Sequence, residues 1–216
     1  MQPGADMVLF NGQGGQYRAR LAETGKKRAS ASVEAFEERE VELPFDVTLA
    51  QGLPEGSKMD WIVEKAVELG VAAIQPLAAQ RSVVRLSGER AEKRLAHWEG
   101  VVVAASEQCG RNRLAQVAPV TDFGRWVAEP GQSRRDAGRR ILLSPRATES
   151  LAGWARATPA HAVTLLVGPE GGLSEQEEDA ALAHGALALS MGPRVLRTET
   201  AGLAALAILA AAWGGI

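Results

Sequence analysis

Short, unbroken apolar runs alternate with amphipathic stretches along most of this chain. Ala162–Val167 (AVTLLV) is one such run, the pattern of a strand buried on both faces. GPEGG at 168–172 ends it, because Gly and Pro punctuate strands and helices alike. Ser174 then reads as an N-cap. Glu177 completes a capping box, and the helix runs to about His184, before Gly185. Ala186–Ser190 predicts a second strand, Met191–Arg194 (MGPR) a second loop, and a very apolar helix starts near Thr200. Strand, glycine loop and helix, repeated, predict both loops at the carboxyl ends of neighbouring parallel strands. Open α/β sheets bind ligands there.

The same grammar holds upstream. Asp46–Ala50 predicts a strand, and GLPEG turns the chain. Ser57 reads as an N-cap with Asp60 as its box partner. Ile62, Val63, Ala66, Val67 and Leu69 form the apolar stripe of a helix that Gly70 ends. Val71–Ile74 follows as a strand, and this βαβ unit implies a parallel sheet. A long helix is predicted from about Glu89 to Gln108, with Leu95, Trp98, Val102 and Ala105 inward. Thr121–Ala128 predicts a short helix, and the polar, basic stretch Glu129–Arg140 a mobile loop. Ile141–Leu143 is a further strand, ending at Ser144-Pro145-Arg146. Its end is expected beside GPEGG, as a third wall of one pocket.

The segment before about Leu49 has a different texture. Val8–Phe10, NGQGGQ and Tyr17–Leu21 predict a β-hairpin, in which Tyr17, Ala19 and Leu21 alternate with Arg18 and Arg20. Ser30–Val41 reads as polar and extended, although EAFEERE also suits a helix. The expected organisation is a small β domain over 1–49 and an α/β domain over 50–216.

Composition changes this picture little. A net charge of -2 gives no global sign of a nucleic-acid partner, so any RNA contact must come from local patches. The single cysteine, Cys109, excludes an internal disulfide framework and reads as a small buried residue. His97, His161 and His184 lack metal-ligand spacing, so no metal is expected. The apolar run Ala201–Trp213 is shorter than the ~20 residues a membrane span needs. It reads as a core helix, apolar all round and therefore buried on every face. MQPGADMVLF lacks the basic region and apolar core of a secretory leader, so a cytoplasmic protein is expected.

The candidate chemistry lies in the two loops. Gly168, Gly171, Gly172 and Gly192 let backbone approach a ligand closely. Arg194 and Arg197 flank the second loop, and Glu199 follows. Two arginines and a carboxylate beside such a pocket can orient a polar substrate and stabilise a developing anion. The plainer alternative is two tight turns with a surface ion pair. Neither GK[ST] nor GxGxxG is present, so a nucleotide phosphate is not the natural ligand.

GPEGGLS followed by LSMGPRVLRTETA resembles the signature of the SPOUT-class RNA methyltransferases. More narrowly, it resembles the bacterial family that methylates ring nitrogen 3 of a uridine in 16S ribosomal RNA. SKMDWIVEKAVELGV and SEQCGRNRL extend the likeness. The resemblance implies an α/β trefoil knot with a mostly parallel sheet, preceded by a small PUA-like β-barrel that helps hold RNA. The family has a further strand and a basic stretch before the segment matching GADMVLFNGQGG, so this barrel is expected to be incomplete. The implied cofactor is S-adenosylmethionine, held by Leu143, Ser144, Gly168, Pro169, Glu170, Gly172, Ser190, Met191, Gly192, Val195 and Leu196. Arg194, Arg197 and Glu199 are the implied catalytic residues, and Arg18, Arg20, Arg111 and Arg113 the RNA contacts. The implied partners are 16S ribosomal RNA in the small subunit and a second copy of the chain, without a membrane. A SPOUT methyltransferase acting on another RNA, such as transfer RNA, is the runner-up. A non-catalytic RNA-binding assembly factor is the third reading, and intact GPEGG and MGPRVLRTET argue against it.

Overall fold

The computed structural model describes residues 1–129 and 138–215. Most of the stretch expected as a mobile loop, residues 130–137, thus lies outside the described residues. The chain divides into two units, Met1–Glu42 with Ser106–Leu114, and Leu43–Ala105 with Ala115–Ile216.

The first unit is built on an antiparallel sheet of β1 (Asp6–Leu9), β2 (Gln16–Thr24) and β3 (Ala29–Glu37), in that order. The hairpin forms as its alternation predicts: Ala19 and Leu21 are buried, and Arg18 and Arg20 face outward. EAFEERE resolves in favour of strand as far as Glu37. Cross-strand pairing decides this, with Phe36 opposite Tyr17 and their rings 5.1 Å apart.

The second unit contains β4 (Val47–Gly52), α1 (Lys58–Glu68), β5 (Ala73–Ala78) and α2 (Gly88–Cys109), whose last residues count with the first unit. Then come β6 (Gln116–Val117), β7 (Thr121–Asp122), α3 (Phe123–Ala128), β8 (Arg139–Leu143) and α4 (Leu151–Ala157). β9 (Val163–Val167), α5 (Glu175–Ala183), β10 (Leu187–Leu189) and α6 (Thr198–Trp213) complete it. The sheet is parallel, in the order β10-β8-β9-β4-β5-β6, with β7 also on β5. α1, α4 and α6 pack together, and α3 packs on α5. Every residue of β9 is buried, as its apolar run predicts, and so is every residue of β4, the polar Thr48 and Gln51 included. Each fully buried Val or Leu there stabilises the fold by ~1.5–3 kcal/mol relative to exposure.

Four local expectations need correction or addition. β10 pairs with β8, and β8 with β9, so the two glycine loops do not end neighbouring strands. The chain returns from β9 across β8, which places Leu143 between the loops. Ser57 makes no capping bond, because its backbone (φ -92°, ψ 6°) is not extended. Asp60 instead accepts from Trp98 Nε1 and contacts His97 Nε2, each at 3.0 Å. α6 is not buried on every side: Gly202, Leu203, Ala205, Leu206, Leu209 and Ala210 are buried, while Ala211 and Ala212 are exposed. α4 is an addition. It is too short for a periodic signal, and only its cap, Ser150 Oγ accepting from the Gly153 N–H at 3.0 Å, marks it. By contrast, the Ser174–Glu177 capping box forms in full.

No helix among the described residues is long and apolar enough to cross a membrane.

Candidate functional site

The loops after β8, β9 and β10 converge on a cavity of about 650 Å³, with a lobe of about 70 Å³ beside it. Leu143, Val195 and Leu196 line both spaces. Gly168, Pro169, Glu170 and Gly172 line the larger, and Ser144, Met191 and Gly192 the smaller. Ser190 lines neither. It supports the second loop, its Oγ accepting from the Gly192 N–H at 3.1 Å.

The first loop has its shape because its glycines permit nothing bulkier. A Cβ on Gly168 would lie 2.8 Å from Leu173 N, and Gly172 has φ +68°, the left-handed region. The Gly172 N–H closes a turn onto the Pro169 carbonyl at 2.8 Å. Glu170 ties the loop to α1: one carboxylate oxygen accepts from the Glu55 N–H at 2.9 Å and from Lys58 Nζ at 2.6 Å. Burial raises the Glu170 carboxyl, but Lys58 and the local N–H groups outweigh it and hold it below the usual carboxylate range. The same hydrogen bond pushes the Lys58 ammonium up. Arg81 donates to the carbonyls of Gly171 (2.9 Å) and Leu173 (3.3 Å).

At the β8 end, Ser144 is buried and its Oγ donates to Glu178 at 3.3 Å. Arg146 grips the same carboxylate at 2.6 Å. Lys58, Arg81, Arg146 and Glu178 all line the larger cavity. None of them was selected as a site residue from the sequence. Each is placed by long-range packing: Lys58 by Glu170, Arg146 by Glu178, and Arg81 by the carbonyls of the first loop.

The three candidate catalytic residues do not share one environment. Arg197 and Glu199 line the larger cavity, and Arg194 the smaller lobe. The Arg197 side chain is 83% exposed and stands 4.0 Å from Glu199, whose side chain is only 18% exposed. Glu199 Oε2 is buried and has no hydrogen-bond partner among the described residues. A half-buried carboxylate with an unused oxygen in a cavity wall is a competent proton acceptor.

The four candidate RNA contacts lie in the first unit, and all are engaged by carboxylates. Arg18 pairs with Glu37 at 2.8 Å, and Arg20 with Asp6 at 3.1 Å and Glu34 at 3.4 Å. Arg113 forms a two-pronged pair with Glu40 (2.9 and 3.1 Å), a hydrogen bond that lowers the Glu40 carboxyl. Arg111 is buried and grips Glu42 through Nε and Nη2. Replacing it strands a half-buried carboxylate, so Arg111→Ala is expected to destabilise this unit by about 3–5 kcal/mol. Denaturant melts of the full chain followed at Tyr17, the chain's one tyrosine, check this. An unchanged midpoint would refute it.

The parallel α/β sheet, with two glycine loops and an inner strand end around one cavity, belongs to an RNA methyltransferase domain. The model of that domain family matches residues 41–210. Ribosomal RNA small subunit methyltransferase E of Bacillus subtilis is 31% identical over 97% of this chain and 82% of its own length. That of Mycobacterium tuberculosis is 32% identical over 99% and 82%. Among solved structures, Neisseria gonorrhoeae ribosomal RNA small subunit methyltransferase E bound to S-adenosyl methionine superposes with a TM-score of 0.88. It is 37% identical, over 99% of this chain and 85% of that one. A putative Legionella pneumophila methyltransferase, solved with bound S-adenosylmethionine, gives 0.89 at 34% identity, over 99% and 85%. The chain belongs to the ribosomal RNA small subunit methyltransferase E family, and it is an enzyme of that family.

Proposed function

We propose that this chain methylates ring nitrogen 3 of a uridine in 16S ribosomal RNA of the small subunit. Its cofactor is S-adenosylmethionine. The observation that carries the reading is the cavity between the two glycine loops, with the half-buried Glu199 carboxylate in its wall. The cavity fits the cofactor: its volume is in the range of small-molecule sites, and a glycine loop with no room for a Cβ supplies bare backbone. Leu143, Ser144, Gly168, Pro169, Glu170 and Gly172 would hold it from one side. Met191, Gly192, Val195 and Leu196 would hold it from the other, and Ser190 supports that loop from behind the lining.

Bound S-adenosylmethionine supplies a methyl group already activated on a sulfonium. The protein's work is therefore to bring the uridine nitrogen in line and to remove its proton. Glu199 accepts that proton on its carboxylate. Arg197, and Arg194 beside it, favour the resulting imidate by their charge. Ring nitrogen 3 lies on the Watson–Crick edge, so the base enters unpaired or flipped out. Arg18, Arg20 and Arg113 bind phosphate by exchanging carboxylate partners, and Arg111 holds their scaffold through Glu42. In this reading the first unit acts as a PUA-like RNA holder and the second, which takes in all of β4 rather than starting at residue 50, as the knotted catalytic domain, in the cytoplasm.

The test is label transfer from the cofactor to small subunits of a strain lacking the modification, followed by mapping of the nucleotide. Label on ring nitrogen 3 of one uridine is expected. Label on transfer RNA alone, or on another position, would overturn the assignment. A homodimer is also part of the reading, supported by the incompletely covered small residues of α6, Ala204, Ala207 and Ala211. Light scattering at micromolar concentration is expected to give about twice the 22.8 kDa chain mass. A monomer that retains activity would refute it.

A further inference from the structure

Gln51 is out of place by composition. It lies fully buried near the end of β4 (VTLAQG), among apolar neighbours. An amide at that depth is kept only when it makes hydrogen bonds. Its Nε2 donates to the Gly52 carbonyl at 2.9 Å and to Thr198 Oγ1 at 2.8 Å. Thr198, the first residue of α6 and also buried, donates to the Gly168 carbonyl at 2.6 Å. The direction of these bonds is fixed. A carbonyl only accepts, so the threonine proton goes to Gly168, and its oxygen is left to accept from Gln51. The Gly52 carbonyl requires the same amide orientation. Gln51 Oε1 finds no partner among the described residues. An apolar side chain here would take the donor away from both the Gly52 carbonyl and Thr198 Oγ1, so the two donors give the amide its role despite the unsatisfied acceptor.

The relay joins the end of β4 to two separate parts of the site wall, the first glycine loop and the start of α6 after the second loop. Gly168 and Thr198 both line the larger cavity, and Thr198 stands between Arg197 and Glu199. The loop also lies directly on β4, since a Cβ on Gly52 would come within 2.6 Å of Pro169 N. Gly168 has no side chain, so its carbonyl is the handle by which α6 can hold the loop.

We propose that Gln51 and Thr198 are positioning residues: their relay locks the first glycine loop to α6 in the cofactor-free protein, so the site meets S-adenosylmethionine already in its binding shape. This rests on the cofactor placement proposed above. Gln51 does not line the cavity, and the Thr198 proton is committed to Gly168, so both act through the loop.

Calorimetry of S-adenosylmethionine binding to the full chain tests this. Thr198→Val keeps the shape and removes the hydroxyl, and is expected to weaken binding about tenfold. Thr198→Ser keeps the hydroxyl and should stay within about twofold of the unaltered protein. Amide exchange across residues 168–173 of the cofactor-free protein should be faster in the Val variant and normal in the Ser variant. A Val variant that melts earlier but binds with unaltered affinity makes the hydroxyl a packing group and overturns the proposal. If the Val variant does not fold, Gln51→Met cuts the relay one bond earlier, and unaltered affinity there overturns it equally. Leu196→Trp, which puts a bulky ring into the wall that both cavity lobes share, separates the two levels. Normal binding by that variant removes the cofactor placement and the relay with it. Lost binding by it, with normal binding by Thr198→Val, removes the relay alone.

Discussion

Glu199→Gln is expected to lower single-turnover methylation of small ribosomal subunits by about 10²–10⁴-fold, the span of a positioned proton acceptor. The amide keeps the shape of the side chain and its place in the first turn of α6, but it cannot take a proton. The carboxylate is well suited to the task. Its buried oxygen has no competing donor among the described residues, and the side chain is held in the first turn of α6. Cofactor affinity should stay within about threefold, because deprotonation concerns only the RNA base. Raising the pH should restore part of the variant's rate, since the uridine then arrives increasingly as its imidate. A Gln variant with an unaltered rate, or with a pH profile parallel to that of the starting protein, would remove Glu199 as the base.

How much of this site could be read from the sequence depends on how far apart the interacting residues are. β9 was legible because AVTLLV is apolar without interruption, and α5 because its capping box is complete within four residues. The glycine loops were legible because local sterics dictate their residues. What failed was long range. No pattern in ILL or LAL says that β10 will cross to the far side of β8. The Ser57–Asp60 pair has the spacing of a box, yet the buried indole of Trp98, 38 residues away, takes the Asp60 carboxylate. Lys58 reads as a helix-surface charge until Glu170, 112 residues on, turns it into an anchor of the first loop. Gln51 carried a signal that could have been used: an amide in an otherwise apolar run asks for a partner. The sequence does not say that the partner is Thr198, 147 residues later. The arginines were legible only in part. Charge is visible in sequence, but its neutralisation by Glu37, Glu40 and Glu42 is not, so Arg111 reads as a basic loop residue while it is buried.

Arg197→Ala is expected to lower the same single-turnover rate by about 10²–10³-fold, the loss typical of one aimed donor in a water-excluded site. In the free protein this guanidinium stands in solvent, 83% exposed and 4.0 Å from Glu199. Such a surface pair contributes little to folding, so the melting temperature should not change. The catalytic effect requires the RNA to cover the cavity mouth, displace water and lower the local dielectric. Two consequences follow. The defect should appear with intact subunits and shrink with a free uridine nucleoside, which cannot close the mouth. Arg197→Lys should recover only a small part of the rate, because the charge is kept but the planar fork is lost. Arg194, beside the smaller lobe, should show a weaker version of both effects. The alternative is that both arginines are solvated surface charges. Then each Ala variant would methylate subunits at the unaltered rate, and Lys and Ala would be indistinguishable at position 197. If Arg197→Ala changes cofactor affinity as strongly as rate, the guanidinium serves the cofactor rather than the uridine, and the imidate role falls to Arg194 alone.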